Sequence, residues 1–454
     1  MQFATAPAGD LTLSQSGAMA EDGRLSARAV LRGPVPSKRP EEGDRSGLPV
    51  HEMRLHIHPL QEPVLPFDNS VSRILIVSQA TVYGVAACVR DLIRAAVAGG
   101  YEVTVACPSK GDLAAWAEEA GAKWERVEMW RYPHPGDLFA VLRVRRLSRA
   151  STLVHLHSSK AGAVGRLALS SLGGTRPLSV FTPHGWSWLV GGWAGSASRL
   201  IERILLPVTT AVVTVSDEER SHGQAVLGSR AARIKVIPNG VDAVRFSPHG
   251  PAAARTDDPL VVCVGRLDPA RGADVAVAAL ALMSTRNVRL RLVGDGSERA
   301  HIESQVRRLG LAGRVDMVGL RADPAPDIRA ADVVVIPSRY DGMALVLLEA
   351  MACGAAIVAT QVPGSSALGD AGEIVPVEDP RALAEAVDRL LADPDRRRSL
   401  GLAARERVAE HYPLERSLET IISLWQDLGA YPPSNRLNTE VGLGEAIDTA
   451  EGIG

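Results

Sequence analysis

Residues 331–354 read ADVVVIPSRYDGMALVLLEAMACG, and this stretch decides the fold class. The β-branched run Val333 to Ile336 has the pattern of a strand buried on both faces of a parallel sheet. Pro337 and Ser338 stop it, and the loop from Arg339 to Met343 carries Asp341 and Gly342. Ala344 to Cys353 is rich in Ala, Leu and Met, which favour helix, and Gly354 reads as the helix stop. Strand, glycine turn and helix form the repeating unit of an open α/β sheet, whose ligands bind beyond the C-terminal strand ends.

That turn also has a chemical reading. A helix starting near Met343 aims its first N–H groups and its positive dipole end at the loop, a setting suited to phosphate or sugar oxygens. Helical side chains tilt toward the N-terminus, so Glu349 points back toward whatever Asp341 meets. Two acceptors and several donors then converge on a polyhydroxylated anion. The other reading of the same residues is a capped core helix with a buried, paired Glu349.

Outward from this unit, the whole chain sets the bounds. Its 454 residues predict two or three domains, and 46% hydrophobic with 22% charged residues is ordinary for a globular chain. A net charge of −2 argues against general nucleic-acid binding. Cys88, Cys107, Cys263 and Cys353 lie scattered without metal-ligand spacing and read as reduced core residues of a cytoplasmic protein. The first residues, MQFATAPAGDLTLSQ, lack the basic start and apolar stretch of a signal peptide. The longest apolar run, Ile204 to Val215, contains Pro207 and falls well short of the ~20 residues that cross a bilayer.

The expected order of units is as follows. Residues 1–69 read as a disordered tail rich in Gly, Pro, Ser and charge. A first Rossmann-like domain over 70–252 opens with the strand RILIVSQ at Arg73, a turn at Gly84 and a helix from about Val85 to Ala98. EVTVAC, TLVHLHS, LSVFTPH, AVVTVS and IKVIPNG supply its later strands, and PAAARTDDP reads as a linker. A second doubly wound domain over 253–412 runs from LVVCVGR through VRLRLVGDG, RVDMVG, the unit quoted above, AAIVAT and EIVPV. Residues 413–430 have amphipathic helical spacing and are expected to pack back on the first domain, while 431–454 read as a flexible tail. Two such domains face each other across a cleft.

Several strand ends carry chemistry. VCVGRLDPARG places Arg266 and Arg271 at a strand-to-helix turn, where two guanidiniums suit a diphosphate or merely a solvated surface. LVGDGSER lacks the dinucleotide fingerprint and the lysine of a P-loop. FTPHGWSW sets His184 at a strand end, as a donor to a sugar hydroxyl, a proton shuttle or a structural group. HLHSSKAG sets Lys160 where it would hold an anionic acceptor. Trp186, Trp188 and Trp193 crowd WSWLVGGW, and Leu142 to Arg149 is a basic stretch, LRVRRLSR. Aromatic and basic groups of this kind serve a protein resting on an anionic bilayer, or else are a packed loop and a solvated helix.

Taken in order, the turn at Gly84, HSSKAG, TPHGWSW, VSDEER, IPNGVD, VGRLDPARG, LVGDGSER and PSRYDGMALVLLEAMACG resemble the motifs of the GT-B glycosyltransferases of family 4. The resemblance spans Arg73 to Trp425. It implies two Rossmann-like domains and a retaining transfer from a nucleotide-diphosphate sugar, with UDP favoured over GDP, no cofactor and no metal. It further implies an enzyme of hexosyl or N-acetylhexosaminyl type that acts on a polysaccharide or lipid-linked glycan acceptor. Its expected place is the cytoplasm, in contact with the inner face of the plasma membrane.

By the same resemblance, Arg266 and Arg271 bind the donor diphosphate, Glu349 holds the ribose, and Asp341 stands near the donor sugar. Backbone groups of Gly342, Met343 and Ala344 meet sugar or phosphate, His184 reaches the sugar from the other domain, and Gly84 lies in the turn that admits the phosphates. His184, Arg266, Arg271 and Asp341 are the implied catalytic set, and Lys160 and Trp186 stand on the acceptor side. The chain departs from the family where Asp341 replaces Glu, Arg271 replaces Lys and Tyr83 precedes Gly84 in place of a second glycine. A transferase for a small acceptor and a donor-binding protein without turnover are the competing readings. A phosphorylase is disfavoured because Arg271 cannot form a Schiff base.

Overall fold

The computed structural model describes residues 72–432, apart from 131 and 229–232. The tail expected over 1–69 lies outside the described residues, as does 433–454 of the expected flexible C-terminal tail. The first lobe is a parallel sheet of β1 (Arg73–Ser78), β2 (Glu102–Cys107), β3 (Lys123–Arg126), β4 (Leu153–His157), β5 (Leu178–Thr182), β6 (Ala211–Thr214) and β7 (Ile234–Val236). Its helices are α1 (Tyr83–Ala98), α2 (Leu113–Glu119), α3 (Asp137–Ser148), α4 (Ser159–Ser170), α5 (Gly192–Leu205) and α6 (Asp217–Leu227).

The second lobe is a parallel sheet of β8 (Leu260–Val264), β9 (Arg289–Val293), β10 (Val315–Gly319), β11 (Val333–Ile336), β12 (Ile357–Thr360) and β13 (Glu373–Val375). Around it run α7 (Ala273–Leu282), α8 (Arg299–Arg308), α9 (Ala325–Ala330), α10 (Leu345–Ala352), α11 (Pro380–Ala392) and α12 (Pro394–His411). A last helix, α13 (Leu414–Asp427), follows.

Strand order is β3-β2-β1-β4-β5-β6-β7 in the first sheet and β10-β9-β8-β11-β12-β13 in the second. Each order reverses direction once, between β1 and β4 and between β8 and β11, and the loops leaving those strands open onto the crevices where such sheets bind ligands. Burial follows the two-residue strand period. Ile74 and Ile76 of β1 enter one core and Leu75 and Val77 the other, so helices cover both sheet faces. β11 does the same with Val333 and Val335 on one side and Val334 and Ile336 on the other.

The helix α13 returns to the first lobe, where Leu424 and Trp425 join the core of β1 and α1. Trp425 meets Tyr101 and His155 edge-on, with ring centroids 5.8 and 5.7 Å apart. Tyr431, assigned from sequence to the flexible tail, is held instead: its N–H donates to Ser72 Oγ at 2.9 Å and its carbonyl accepts from the Ser72 N–H at 3.3 Å. The segment expected as a linker lies along the second lobe, with the Ala253 N–H on the Pro326 carbonyl (2.8 Å) and Arg255 on Asp332 (2.6 Å). WSWLVGGW is not a plain loop either. It forms a 3-10 turn over Ser187–Val190, and α5 then starts at Gly192.

Candidate functional site

The loops after β8 and β11 build the second lobe's side of the crevice. Gly294 has φ +146°, and a Cβ there would lie 1.9 Å from the Gly265 carbonyl oxygen, so only glycine lets the loops after β9 and β8 close together. Arg266 leaves this turn with its Nε on Asp268 Oδ2 at 2.6 Å. Pro269–Arg271 form a 3-10 turn that ends at Gly272, a left-handed residue pressed against the Pro337 carbonyl at the end of β11. This contact brings Arg271 onto Asp341 as an ion pair. Asp341 is 7% exposed, and its Oδ1 accepts the Gly342 N–H at 2.9 Å.

The helix α10 begins at Leu345, two residues later than the sequence implies, with Ala344 as an extended cap residue. No side chain caps it and no acid sits in its first turn, so its dipole end faces the Asp341–Met343 loop without a protein counter-charge on the helix itself. Asn239 fixes that loop from the first lobe, its amide donating to the Met343 carbonyl at 3.0 Å. Glu349 is half-buried, and burial pushes its carboxyl up to about 7, while Arg245 and Arg90 pull the other way. Arg90 lies on α1, so this residue feels charge from both lobes.

The first lobe presents two turns. Tyr83, at φ +64°, starts α1 and crosses to the other lobe: its hydroxyl donates to the Asp295 carbonyl (2.6 Å) and accepts the Asp295 N–H (3.1 Å). Gly84 lies inside α1 and faces Leu345, where an added Cβ would be 3.7 Å from the leucine Cβ. The second turn is His184–Gly185, both with positive φ. Buried Glu219 holds it, accepting the N–H of Gly185 (2.6 Å) and of Val215 (2.7 Å), and its carboxyl is pushed up to about 7 by burial. A Cβ on Gly342 would fall 2.8 Å from Gly185 N and 3.2 Å from Glu219 Oε1, so the two lobes touch backbone to backbone there.

Three histidines stack behind the turn. His157 Nδ1 and His184 Nε2 are 3.0 Å apart, and His155 lies 4.1 Å from His157 ring to ring. Burial lowers His184 to about 4 and His155 to about 3, so at neutral pH His184 is an uncharged hydrogen-bonding ring rather than a cation.

The structure thus gathers Gly84, His184, Arg266, Arg271, Asp341, Gly342, Met343 and Ala344 around the facing loops, with Glu349 on the helix behind them. One expectation is corrected. Trp186 is 1% exposed, stacks on Trp188 at 4.2 Å and gives its indole N–H to the Glu219 carbonyl, so it is core and meets no acceptor. Lys160, expected on the acceptor side, is paired at the start of α4 with Asp137 (2.5 Å) and donates to the Tyr132 carbonyl (3.0 Å). Glu219, Asn239 and His157 were missed as site residues, although VSDEER, IPNGVD and HLHSSKAG contain them. Among the described residues no helix is long and apolar enough to cross a membrane.

Comparisons with known proteins fit this geometry. The family model described as "Glycosyl transferases group 1" matches residues 258–393, and "Glycosyl transferase 4-like domain" matches residues 83–240. The chain is 33% identical over 314 residues to the D-inositol 3-phosphate glycosyltransferase of Kineococcus radiotolerans, covering 60% of this chain and 72% of that protein. It is 31% identical over 353 residues to the GDP-mannose-dependent alpha-(1-6)-phosphatidylinositol monomannoside mannosyltransferase of Mycolicibacterium smegmatis, covering 70% and 87%. Among solved structures, the sucrose-phosphate synthase of Thermosynechococcus elongatus superposes with a TM-score of 0.68 at 26% identity, over 79% of this chain and 99% of that one. HepE of Anabaena, in complex with UDP and glucose, has the same fold, with a TM-score of 0.66 at 22% identity over 78% and 99%.

Proposed function

The chain belongs to the group 1, family 4 glycosyl transferases of GT-B fold, and from that premise we propose that it moves a sugar, with retention, from a UDP-sugar to a hydroxyl of a glycan or lipid-linked acceptor. The observation that carries the reading is the meeting of the Arg271–Asp341 pair and the uncapped start of α10 with the His184–Gly185 turn of the other lobe.

Arg266 and Arg271 bind the diphosphate, oriented by Asp268 and Asp341, and the start of α10 adds backbone donors. Glu349 takes the ribose hydroxyls. Neutral His184, steadied by His157, hydrogen-bonds the donor sugar. The acceptor oxygen bonds to the anomeric carbon on the face the diphosphate leaves. The bond from that carbon to the phosphate oxygen breaks, and a diphosphate oxygen takes the acceptor proton. The arginines and the helix dipole offset the charge that develops on the leaving group, so neither metal nor cofactor is called for in this reading. A lipid-linked acceptor would be met at the cytoplasmic face of the plasma membrane. A second reading, a soluble phosphorylated cyclitol as acceptor, is favoured by the activity named for the Kineococcus protein.

The test is thermal melting with UDP- and GDP-sugars, followed by turnover and NMR of the product anomer. A UDP-sugar is expected to raise the melting temperature by several degrees, since a ligand at ~100 times its Kd stabilises by ~2.7 kcal/mol. Arg266→Ala should lose that shift and most turnover. Full turnover by Arg266→Ala, or an inverted product, would overturn the mechanism.

A further inference from the structure

His155 and His157 stand two apart on β4, so both imidazoles point to the same face of the sheet. Both rings are buried, and burial keeps them neutral at pH 7. Each has one nitrogen engaged: His155 Nε2 lies 2.9 Å from Thr182 Oγ1, and His157 Nδ1 lies 3.0 Å from His184 Nε2. The second nitrogen of each, His155 Nδ1 and His157 Nε2, is buried with no hydrogen-bond partner among the described residues. A buried nitrogen left so is costly. The backbone nonetheless holds the His157–His184 contact in place, because Ser158 and His184 both keep positive φ, at 80° and 53°.

A cavity of about 40 Å³ adjoins His157 and His184, walled on its other side by α1 and α13. A water needs roughly 10–15 Å³ of such space, so the cavity has room for one. Its polar lining comes from Cys88, Asp91, Thr182, Asn239 and Ser417. The donors among these are turned to other groups. The Cys88 thiol points at Asn239 Oδ1 (3.6 Å), the Asn239 amide donates to the Met343 carbonyl, and the Ser417 hydroxyl donates to the Pro238 carbonyl (2.7 Å). Thr182 is engaged with His155. What the wall still offers is acceptors. Arg90 takes one bond from each carboxylate oxygen of Asp91, which leaves further lone pairs there, and Ser417 Oγ keeps its own. A water against such a wall gives its protons to these acceptors and turns a lone pair to His157 Nε2. The proton of His157 then sits on Nε2, and its Nδ1 is bare.

We propose that His157, with a water in this cavity, fixes the tautomer of His184: His184 Nε2–H donates to His157 Nδ1, and a bare His184 Nδ1 meets the donor sugar. His157 is a positioning residue, acting on the sugar only through His184. The inference rests on the reading of His184 as a sugar-binding group and gives that contact a direction. The sugar has to bring a hydroxyl that donates its proton to Nδ1. A carboxylate at that point would set two acceptors against each other, and a deoxy carbon would leave Nδ1 unpaired, so either sugar binds more weakly.

The test reads the proton itself. Long-range proton–nitrogen NMR on the full-length protein, with isotopically labelled histidine and no nucleotide, separates protonated from bare ring nitrogens. At neutral pH, His157 and His184, assigned with His157→Asn and His184→Asn, are each expected to show a protonated Nε2 and a bare Nδ1. Calorimetry with UDP and with UDP-glucose then separates positioning from general damage. His157→Phe should weaken UDP-glucose by about tenfold, the size of one lost hydrogen bond, and leave UDP unchanged. His157→Asn, whose amide oxygen can accept where Nδ1 did, should recover most of that loss. A proton on His184 Nδ1 in the wild type would overturn the proposal. So would equal weakening of UDP and UDP-glucose by His157→Phe, or no recovery in His157→Asn. If wild type binds neither nucleotide, the UDP-sugar reading fails, and the NMR measurement still decides the tautomer.

Discussion

Asp341 and Glu349 lie eight positions apart on one loop and helix, yet they are held in different ways. Asp341 is clamped by the Arg271 guanidinium and the Gly342 N–H, which makes it an orienting group for the arginine rather than a loose carboxylate. Glu349 is held up at about 7 by burial. In the unfolded chain it ionises near its ordinary value of 4.5, so between that pH and about 7 the folded state keeps a proton that the unfolded state has lost. Its contribution to stability is therefore full below 4.5 and lost as pH rises through about 7. Urea melts of wild type and Glu349→Gln should show the wild type losing stability more steeply across that window. Glu219 titrates in the same window, which is why the comparison is made between the two proteins. Donor affinity should run the other way, rising as Glu349 ionises to accept ribose hydroxyls, with calorimetry on Glu349→Gln giving a flatter and weaker profile.

At the scale of elements, the lobes meet where a side chain would not fit. A Cβ on Gly342 would be 2.8 Å from Gly185 N and 3.0 Å from Val215 Cγ2, and the Gly185 backbone is pinned by Glu219. Gly342→Ala should therefore push the Asp341 loop away from the His184 turn, at a cost of about 1–3 kcal/mol by the scale of overpacked cores. Donor KM should rise more than kcat falls, measured by steady-state kinetics. Gly84→Ala is the control: its added methyl meets Leu345 at an ordinary 3.7 Å and should leave the melting temperature nearly unchanged.

At the scale of the whole molecule, the chain stitches its lobes together. α13 follows the second lobe yet completes the first, with Trp425 fully buried beside Tyr101 and His155. Trp425→Ala should cost about 3–5 kcal/mol, as large buried aromatics do, and should lower the unfolding midpoint of the first lobe in a denaturant titration. An unchanged midpoint would mean that α13 is dispensable. Tyr83 adds a second tie, across 212 residues of sequence, to the Asp295 backbone.

The alternation of strands and helices, the glycine turns and the places of Arg266, Arg271 and Asp341 were legible because they depend on local period and on turn chemistry within a few residues. β3 was not, because KWER is a short polar edge strand, without the apolar run that marks its neighbours. The three tryptophans of WSWLVGGW could not be told apart along the chain, and the fold buries Trp186 and Trp188 while leaving Trp193 outside. The opening unit shows the same division. Its sequence determined a strand, a turn with Asp341 and a helix with Glu349. Only the tertiary structure decided that Arg271 takes Asp341, that burial raises Glu349, and that Glu219 and Asn239 complete the site. The reason is physical: ion pairing, desolvation and backbone contact depend on distance in space, and the partners here lie from tens to more than a hundred residues apart.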